Sequence, residues 1–189
     1  AEYNPFEFVK TNIIGAQNLV QAALTNNVKK LIALSTDKAV SPINLYGATK
    51  LCSDKIFVAA NNHKGSKDTS FSVVRYGNVA NSRGSVIPLF KSLKSKGNFF
   101  PITDMEMTRF NITLEQSVEM VIWTIKNSKG GEVVVPKIPS LRIKDLVKAI
   151  DPQKKIKIIG IRPGEKIHED LISSHDAINT IDIGRYYII

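Results

Sequence analysis

The feature that most constrains the fold is an apolar run that ends in a polar corner and is followed by a helix start. The run is LIAL at residues 31–34, which is typical of a strand buried in a parallel sheet. The corner is STDK at residues 35–38, and the helix start is YGATK at residues 46–50. Because ligands of open α/β sheets bind at the carboxyl ends of the strands, the sequence predicts a ligand site at this corner.

Within the predicted helix start, Tyr46 and Lys50 are four residues apart and therefore share one face. A lysine ammonium beside a phenol is expected to lower the pKa of Tyr46, and the phenolate would then take a proton from an alcohol. The hydroxyl of Thr36 is placed to help hold that alcohol. A lone YxxxK is common by chance and has an exposed helix start as its alternative interpretation. The strand, the corner and the helix together favour the functional one.

These residues resemble the extended short-chain dehydrogenase/reductase superfamily. Residues 35–50 are similar to the active-site segment of its UDP-N-acetylglucosamine 4,6-dehydratases, in particular the C5-inverting kind that opens pseudaminic acid biosynthesis. Further segments agree in the same order: VRYGNV at 74–79, SRGSV at 82–86, MTRF at 107–110 and IRPGEK at 161–166. The resemblance runs from residue 1 to about residues 162–169 and weakens beyond them.

The glycine loop with which this superfamily begins is absent, since the sequence contains no G-x-G-x-x-G. In the superfamily that loop joins a strand to a helix and cradles the cofactor pyrophosphate. This chain instead opens with AEYNPFEFVK, which is typical of a helix, and closes on the apolar run at residues 185–189. We therefore expect a fragment truncated at both ends.

Hydrophobic periodicity and turn residues predict alternating helices and strands. Helices are predicted at residues 5–27, 46–62, 86–96, 113–126, 143–150 and 166–172. Strands are predicted at residues 30–35, 71–76, 131–136 and 156–161, with a polar loop at 63–70 and a mostly extended segment at 103–112. This alternation indicates an α/β fold with a parallel sheet.

The resemblance also implies how the chain is divided. Residues 1–80 are expected to form the C-terminal half of a dinucleotide-binding Rossmann domain, a partial parallel sheet without its phosphate-loop half. Residues 81–189 are expected to form mainly a small substrate-binding α/β part, interleaved with the Rossmann sheet.

The resemblance implies a reaction that is redox-neutral overall: oxidation at C4 of the sugar, loss of water across C5 and C6, and return of the hydride to C6. The resemblance assigns Tyr46, together with Lys50, as the base for the C4 hydroxyl. It also assigns Lys50 to binding the nicotinamide ribose. Asp37 is the acid for the departing hydroxyl, because burial beside the substrate would favour its protonated form. Lys38 stands where retaining dehydratases usually carry Glu, and a desolvated lysine can act as the base at C5. The alternative for both is an exposed turn pair.

The resemblance further assigns five substrate-binding residues: Asn78, Val86, Arg109, Arg162 and Glu165. The two arginines match diphosphate contacts. This suits their chemistry, because one guanidinium group can bind two phosphate oxygens at once. The carboxylate of Glu165 matches a contact to the uridine ribose. Asn78 and Val86 match substrate contacts on two loops. For each arginine, a surface ion pair is the alternative interpretation.

The implied cofactor is NADP or NAD. The matching residues are Tyr46 and Lys50 together with Tyr76, Gly77 and Asn78, where a glycine lets the backbone approach the nicotinamide. Asn12 matches a helix asparagine that is structural and relays protons in the superfamily. Nothing in the sequence selects between the two cofactors.

Composition bears on the partners. The chain carries 26 Lys and Arg against 17 Asp and Glu, which suits nucleic acid, but the lysines are scattered and no basic stripe with interleaved aromatics occurs. We therefore expect no nucleic acid, and an anionic sugar nucleotide, UDP-N-acetylglucosamine, as the ligand of the arginines. The three histidines show no metal spacing, so no metal is expected.

The cellular setting is predicted from cysteine use and apolar runs. The lone Cys52 cannot form an intrachain disulfide, which suits a reducing compartment, so we expect a cytoplasmic enzyme. Cys52 is interpreted as a small buried apolar residue rather than as a catalytic thiol. The apolar runs are far shorter than the roughly 20 residues of a membrane span. The full-length enzyme is expected to be a homo-oligomer.

Other functions stay open at this point. One is a retaining UDP-sugar dehydratase or a C4 epimerase, although an epimerase does not need an Asp-Lys pair after Thr36. Another is a non-catalytic piece that binds a sugar nucleotide weakly or completes a partner chain. The missing glycine loop favours the last interpretation for the isolated chain, which is expected to be inactive by itself.

Overall fold

A five-stranded sheet organises the first half of the chain and parts of the second. The computed structural model describes all residues from 1 to 189, and the strand order in this sheet is β1-β2-β6-β10-β9. Strands β1 (Lys30–Thr36), β2 (Ser70–Tyr76) and β6 (Val133–Pro136) are parallel. Strands β10 (Tyr186–Ile188) and β9 (Ile181–Asp182) continue the sheet in antiparallel fashion. The predicted α/β class is confirmed, with a sheet that is parallel on one side only.

Helices cover both faces of the sheet, which explains why β2 is buried along nearly its whole length. On one face, Phe71 and Val73 pack with Phe57 and Ala60 of α3 (Leu45–His63). On the other face, Val74 packs with Met120 of α5 (Leu114–Asn127). Because β1 and β2 are in register from Lys30 opposite Ser70 to Thr36 opposite Tyr76, the polar corner after β1 lies beside the carboxyl end of β2.

The first predicted helix exists but is not uniformly wound. It consists of α1 (Pro5–Phe8), a π-helical segment (Val9–Ile14) and α2 (Gly15–Thr25). Such wide turns inside helices are frequent at functional sites. Within the wide turn, the side-chain amide of Asn12 donates to Thr49 Oγ1 at 3.0 Å. The turn thereby ties the first helix to α3.

The start of α3 is fixed by a cap and by a close backbone approach. The Asn44 side chain accepts the backbone N–H of Gly47 at 2.7 Å, which satisfies a donor that the helix itself leaves free. A Cβ at Gly47 would lie 2.1 Å from the carbonyl oxygen of Lys38. Only glycine therefore lets α3 begin directly against the turn at Asp37–Ala39.

The second half adds two small sheets. One contains β3 (Asn78–Val79), β5 (Thr108–Ile112) and β7 (Ser140–Arg142), and the other contains β4 (Phe99–Ile102) and β8 (Lys155–Ile158). Helices α4 (Val86–Lys96) and α6 (Ile143–Ile150) have the predicted bounds. These elements enclose a second core: Phe90, Phe100, Ile102, Met107, Ile143 and Val147.

The predicted helix at residues 166–172 is wrong, because this segment consists of turns and bends. Side chains from other elements donate hydrogen bonds to its carbonyl groups instead. Arg109 binds the carbonyl oxygens of Lys166 and Ile167, and Arg75 binds that of Leu171. The only helix near the C-terminal end is the short α7 (Ser174–Ala177).

Smaller differences concern strand lengths and one cysteine. The predicted strand at residues 156–161 stops at Ile158, and of the extended segment at 103–112 only β5 is a strand. Cys52 is exposed, so its interpretation as a buried residue is wrong. No helix combines the length and the apolar character needed to cross a membrane.

Candidate active site

The turn after β1 holds a buried ion pair. Asp37 is fully buried, and Lys38 Nζ lies 2.9 Å from its Oδ1 atom. The Thr36 hydroxyl donates to the same oxygen at 2.9 Å and accepts the backbone N–H of Lys38 at 3.3 Å. The other oxygen of Asp37 is buried without a hydrogen-bond partner. The pair is therefore not the exposed turn that was its alternative interpretation.

Lys38 extends from this turn towards residues of the second half. Its ammonium donates to Asn78 Oδ1 at 3.3 Å and lies 4.0 Å from Glu169 Oε1. It lines a cavity of about 380 Å³. All five predicted substrate-binding residues line the same cavity: Asn78, Val86, Arg109, Arg162 and Glu165. The fold thus brings together residues that are up to 127 positions apart, since 165 − 38 = 127.

The two arginines of the cavity differ in what they already bind. The guanidinium of Arg109 is buried and donates to the carbonyl oxygens of Thr108, Ile167 and Lys166 at 2.7, 3.0 and 2.9 Å, and to Glu165 Oε1 at 3.5 Å. Arg162 is exposed, and its side chain has no hydrogen bond or ion pair within the chain. Arg162 is therefore free to meet an anion, whereas Arg109 contributes charge from a fixed position.

The loop that carries Arg162 is fastened to the segment between the turn at Asp37–Ala39 and the start of α3. The Asn44 side chain, which caps α3, also donates to the carbonyl oxygen of Gly164 at 2.6 Å. Gly164 has φ +76°, and a Cβ there would lie 2.8 Å from Asn44 Cβ. Lys166 Nζ donates to the carbonyl oxygen of Val40 at 2.7 Å. One wall of the cavity is thereby held against the start of α3.

Tyr46 and Lys50 lie beside the turn but do not line the cavity of Lys38. Burial raises the pKa of Tyr46; the Thr36 hydroxyl lowers it, while Asp37 and Asp54 raise it further. Lys50 donates to the carbonyl oxygen of Leu34 at 2.7 Å, and burial lowers its own pKa, opposed by Asp54. In this arrangement Lys50 does not lower the pKa of Tyr46 as expected, because its ammonium is bound to β1.

Lys50 instead lines a neighbouring cleft of about 320 Å³ between the first helix, β1 and α3. Asn12, Ser53 and the apolar residues 31–34 line it too. Its polar side chains, Asn12, Lys50 and Ser53, are of the kind that hold the hydroxyl groups of a ribose. Of the predicted catalytic residues, Lys38 lines the first cavity and Lys50 the neighbouring cleft, while Tyr46 lines a smaller one with Asn12.

The predicted cofactor residues Tyr76 and Gly77, at the end of β2, differ in what they contact. Burial raises the pKa of Tyr76, and the nearby Tyr46 raises it further, so the two phenols lie close to each other. A Cβ at Gly77 would lie 2.5 Å from Phe110 Cβ. The packing of β5 by itself therefore explains the glycine, without any cofactor.

Two ionisable groups near the site were missed by the sequence analysis. Asp54 lies one helical turn after Lys50 and accepts hydrogen bonds from Ser35 and Arg75 at 2.7 and 3.4 Å. Burial raises its pKa, against the effects of Ser35, Arg75 and Lys50. The four-residue spacing from Lys50 could have identified it.

Glu169 is the second missed group, and no local sequence pattern identifies it. It lines the cavity, is only 8% exposed, and its Oε2 atom has no hydrogen-bond partner. Burial raises its pKa; Lys38 lowers it, Asp37 raises it, and Arg109 and Lys166 lower it. A buried carboxyl group thus faces the Asp37–Lys38 pair from the opposite wall.

Comparison with known protein sequences gives one family and clear relatives. The family described as polysaccharide biosynthesis protein matches residues 1–189. A UDP-N-acetylglucosamine 4,6-dehydratase (inverting) from Campylobacter jejuni is 58% identical over the whole chain, which spans 57% of that relative. A UDP-glucose 4-epimerase from Rickettsia canadensis is 41% identical over the whole chain, which spans 56% of it.

Solved structures agree on the fold. Pen from Bacillus thuringiensis is 40% identical and superimposes with a TM-score of 0.95 over 100% of this chain and 60% of that one. The dTDP-glucose 4,6-dehydratase DesIV from Streptomyces venezuelae, solved with NAD and TYD bound, has a TM-score of 0.76 at 19% identity, over 88% of this chain and 58% of that one. At that identity the likeness shows the fold alone.

Proposed function

The chain belongs to the polysaccharide biosynthesis protein family, and from that premise we propose that it carries the catalytic turn and the substrate cleft of a C5-inverting UDP-N-acetylglucosamine 4,6-dehydratase. This is an NAD(P)-dependent hydro-lyase of nucleotide-sugar biosynthesis. The observation that carries the proposal is the buried Asp37–Lys38 pair at the wall of a cavity lined by all five predicted substrate residues. The chain spans 57% of the Campylobacter relative, so the activity belongs to the full-length protein.

The substrate is proposed to be UDP-N-acetylglucosamine. The unpaired guanidinium of Arg162 meets the diphosphate, with Arg109 adding positive charge from the cavity wall. Glu165 receives the uridine ribose, and Asn78 and Val86 contact the sugar. An exposed, unpaired arginine beside a buried, hydrogen-bonded one suits a ligand that must be both attracted and oriented.

The nicotinamide cofactor is proposed to lie in the cleft beside Lys50, within reach of Tyr46 and of residues 76–78. When bound, it supplies a reversible hydride acceptor. Lys50 would leave the Leu34 carbonyl to bind the ribose, and its charge would then favour the phenolate of Tyr46.

The first chemical task falls to Tyr46 and Thr36. The Thr36 hydroxyl holds the C4 alcohol at the carboxyl end of β1, and Tyr46 takes the alcohol proton. Because burial raises the pKa of Tyr46, this step depends on the positive charge that Lys50 brings when it turns towards the phenol.

The elimination falls to the ion pair. Transfer of a proton from Lys38 Nζ to Asp37 turns the pair into a neutral amine and a carboxylic acid. The amine then takes the C5 proton, the C5–H electrons form the C5–C6 double bond, and Asp37 protonates the C6 hydroxyl as it leaves as water. A single internal proton transfer thus prepares both the base and the acid.

Two alternatives remain. A retaining dehydratase would use the same cleft, whereas a C4 epimerase has no use for a buried acid–base pair next to Thr36. A non-catalytic role for the isolated chain is the other alternative. We further propose the division near residue 80, a cytoplasmic location and a homo-oligomeric full-length enzyme.

The assignment of roles is tested in the full-length protein. Tyr46→Phe should block C4 oxidation, so that no reduced nicotinamide accumulates. Asp37→Asn should allow C4 oxidation and slow the loss of water. Each loss is expected to be about 10²–10⁴-fold, as for a positioned acid or base. Equal effects at one kinetic step would contradict the division of labour.

The stereochemical outcome separates the inverting from the retaining alternative. In heavy water, the full-length enzyme should form the 4-keto-6-deoxy sugar of L-arabino configuration with one solvent deuterium at C5, as seen in the ring coupling constants by NMR. A product that is wholly D-xylo at early times would establish the retaining reaction. The 189-residue chain by itself should show little turnover, and strong activity from it would contradict the need for a separate cofactor loop.

A further inference from the structure

We propose that Glu169 takes the proton that Lys38 has removed from C5, so that Lys38 does not return it to the same face of the sugar. This inference rests on the proposed function and adds a residue to it. Glu169 acts through Lys38, which makes it a positioning and proton-accepting partner rather than a residue in contact with the reacting carbon.

The geometry places Lys38 between two carboxyl groups. Asp37 Oδ1 lies 2.9 Å from Lys38 Nζ, and Glu169 Oε1 lies 4.0 Å from it. Lys38 is half-buried on a flexible stem, and a shift of about 1 Å brings the ammonium within hydrogen-bond distance of Glu169. Both carboxyl groups are buried, and each has one oxygen without a hydrogen-bond partner. A proton can therefore move from Lys38 in either of two directions.

Inversion at C5 explains why a proton should move from Lys38 to Glu169. When Lys38 has taken the C5 proton, it is an ammonium that still faces the carbon it deprotonated, and return of that proton would restore the original configuration. In the proposed step, the N–H bond breaks with its electron pair staying on nitrogen, and a lone pair of Glu169 Oε1 forms the O–H bond. The products are a neutral amine and a carboxylic acid, which releases its proton to water in the cleft.

The surroundings of Glu169 make it a suitable acceptor. Desolvation of a carboxylate favours the form that holds a proton. The charged groups that face Glu169 are Asp37 and Lys38 from the turn after β1, Arg109 from β5 and Lys166 from its own loop, and burial raises its pKa most of all. Asp37, a carboxylate again once the hydroxyl has left, is fully buried and does not line the cavity, so a proton moved to it stays within the ion pair, whereas Glu169 lines the cavity and can release the proton there.

An isotope experiment tests the step in the full-length protein. UDP-N-acetylglucosamine deuterated at C5 is converted in ordinary water, and the deuterium left in the product is measured by mass spectrometry. The wild type should lose nearly all of it. Glu169→Gln should slow this washout relative to turnover by about 10²-fold, the lower end for a positioned acid or base. It should therefore retain deuterium and form more product of unchanged C5 configuration.

Two matched variants guard against a merely structural effect. Glu169→Asp keeps a carboxylate on a shorter stem and should restore part of the washout. Glu165→Gln alters another glutamate of the same cavity that pairs with Arg109 at 3.5 Å, and should raise KM without retaining deuterium. Complete washout by Glu169→Gln would overturn the inference.

A titration tests the coupling without any turnover. In full-length protein with carboxyl-¹³C glutamate, the Glu169 resonance should titrate above the usual range for glutamate. Lys38→Met should move this titration to higher pH, because it removes an opposite charge, and Asp37→Asn should move it to lower pH, because it removes a like charge.

The two measurements separate failure of the inference from failure of the proposed function. If Lys38→Met leaves the pH at which Glu169 titrates unchanged, the inference is overturned, whether or not the protein dehydrates a sugar. A wild type that forms no dehydrated product overturns the proposed function and the assigned step with it, while a coupled titration would still identify Glu169 as the proton partner of Lys38.

Discussion

Gly47 shows how a single residue decides the geometry of the site. A Cβ at this position would lie 2.1 Å from the Lys38 carbonyl oxygen and 2.9 Å from Pro42 Cβ. We expect Gly47→Ala to push the turn at Asp37–Ala39 away from α3 and to destabilise the fold by about 1–3 kcal/mol or more, as overpacking does. The measurement is urea unfolding of the full-length protein.

Gly15 offers a matched control for that substitution. It is also helical, at φ −59°, and its nearest neighbour to a new Cβ is the Lys10 carbonyl oxygen at 3.5 Å. Gly15→Ala should therefore stabilise by about 0.5–1 kcal/mol through the unfolded state. Similar losses for both variants would contradict the clash at Gly47.

Glu132 is a residue whose charge holds a loop together. Burial opposes its charged form, but backbone N–H groups of Lys129, Glu132 itself and Gly130, with the Ser72 hydroxyl, outweigh it and lower its pKa. Because the folded pKa lies below the unfolded one, the stabilisation is present above the ordinary value of 4.5 and is lost as the pH falls through the folded pKa.

Glu132→Gln should therefore cost about 1–2 kcal/mol at neutral pH, a value reduced for the half-exposed carboxylate. The difference from wild type should shrink as the pH falls below 4.5. Urea unfolding at several pH values measures it. Glu7→Gln, at an exposed glutamate paired only with Lys10, should change stability by less than about 0.5 kcal/mol. A cost that stays constant with pH would contradict the linkage.

Sequence patterns identified site residues only where they stand in a local motif. Spacing grouped Tyr46 with Lys50, which share a helix face, whereas the resemblance supplied the roles of Asp37 and Lys38, which follow a strand. Glu169 has no such spacing, since its place beside Lys38 results from a loop that returns from the far end of the chain. The actual partner of Lys50, a backbone carbonyl of β1, depends on a side-chain direction that spacing does not fix.

At the scale of elements, one buried arginine connects three of them. Arg75 on β2 is 4% exposed and pairs with Asp54 on α3 at 3.4 Å and with Asp176 on α7 at 3.5 Å. Arg75→Met would leave the buried carboxylate of Asp54 without its cation, which costs about 3–5 kcal/mol. The loss should appear in urea unfolding.

A double variant checks whether that cost comes from the pair. Arg75→Met with Asp54→Asn removes both buried charges and should be less destabilised than Arg75→Met alone. If the double variant loses the sum of both single effects, Arg75 and Asp54 are not coupled.

Element prediction succeeded where the hydrophobic pattern was long and failed where tertiary contacts replaced it. Helices α4 and α6 have amphipathic patterns, and their bounds were predicted residue for residue. The apolar residues at 167, 171 and 172 imitate such a pattern. The carbonyl groups of this segment are instead bound by Arg75 and Arg109, which no local propensity can foresee.

At the scale of the whole molecule, the outer edge of β1 is an unpaired edge of the sheet. This strand ends the five-stranded sheet, and Leu34 on it is 52% exposed. An unpaired strand edge with apolar side chains is a template for another chain. We therefore expect the 189-residue chain, produced by itself, to associate through β1.

Light scattering after size-exclusion chromatography measures this association. Leu34→Lys should shift the chain towards monomer, because an edge lysine opposes pairing. Ile178→Lys, at an equally apolar residue that is 84% exposed next to α7, should leave the association unchanged. A monomeric wild-type chain would contradict the prediction.

The Asn44 side chain has a consequence for protein engineering. One amide caps the helix of Tyr46 and also fastens the loop of Arg162 and Glu165. A loop transplanted from a relative to change nucleotide selectivity would therefore arrive without its anchor unless residue 44 travelled with it. Gly164 has to come too, because a larger residue there would collide with Asn44. Residues 44 and 160–166 should therefore be exchanged together, so that the loop keeps its contact with the start of α3.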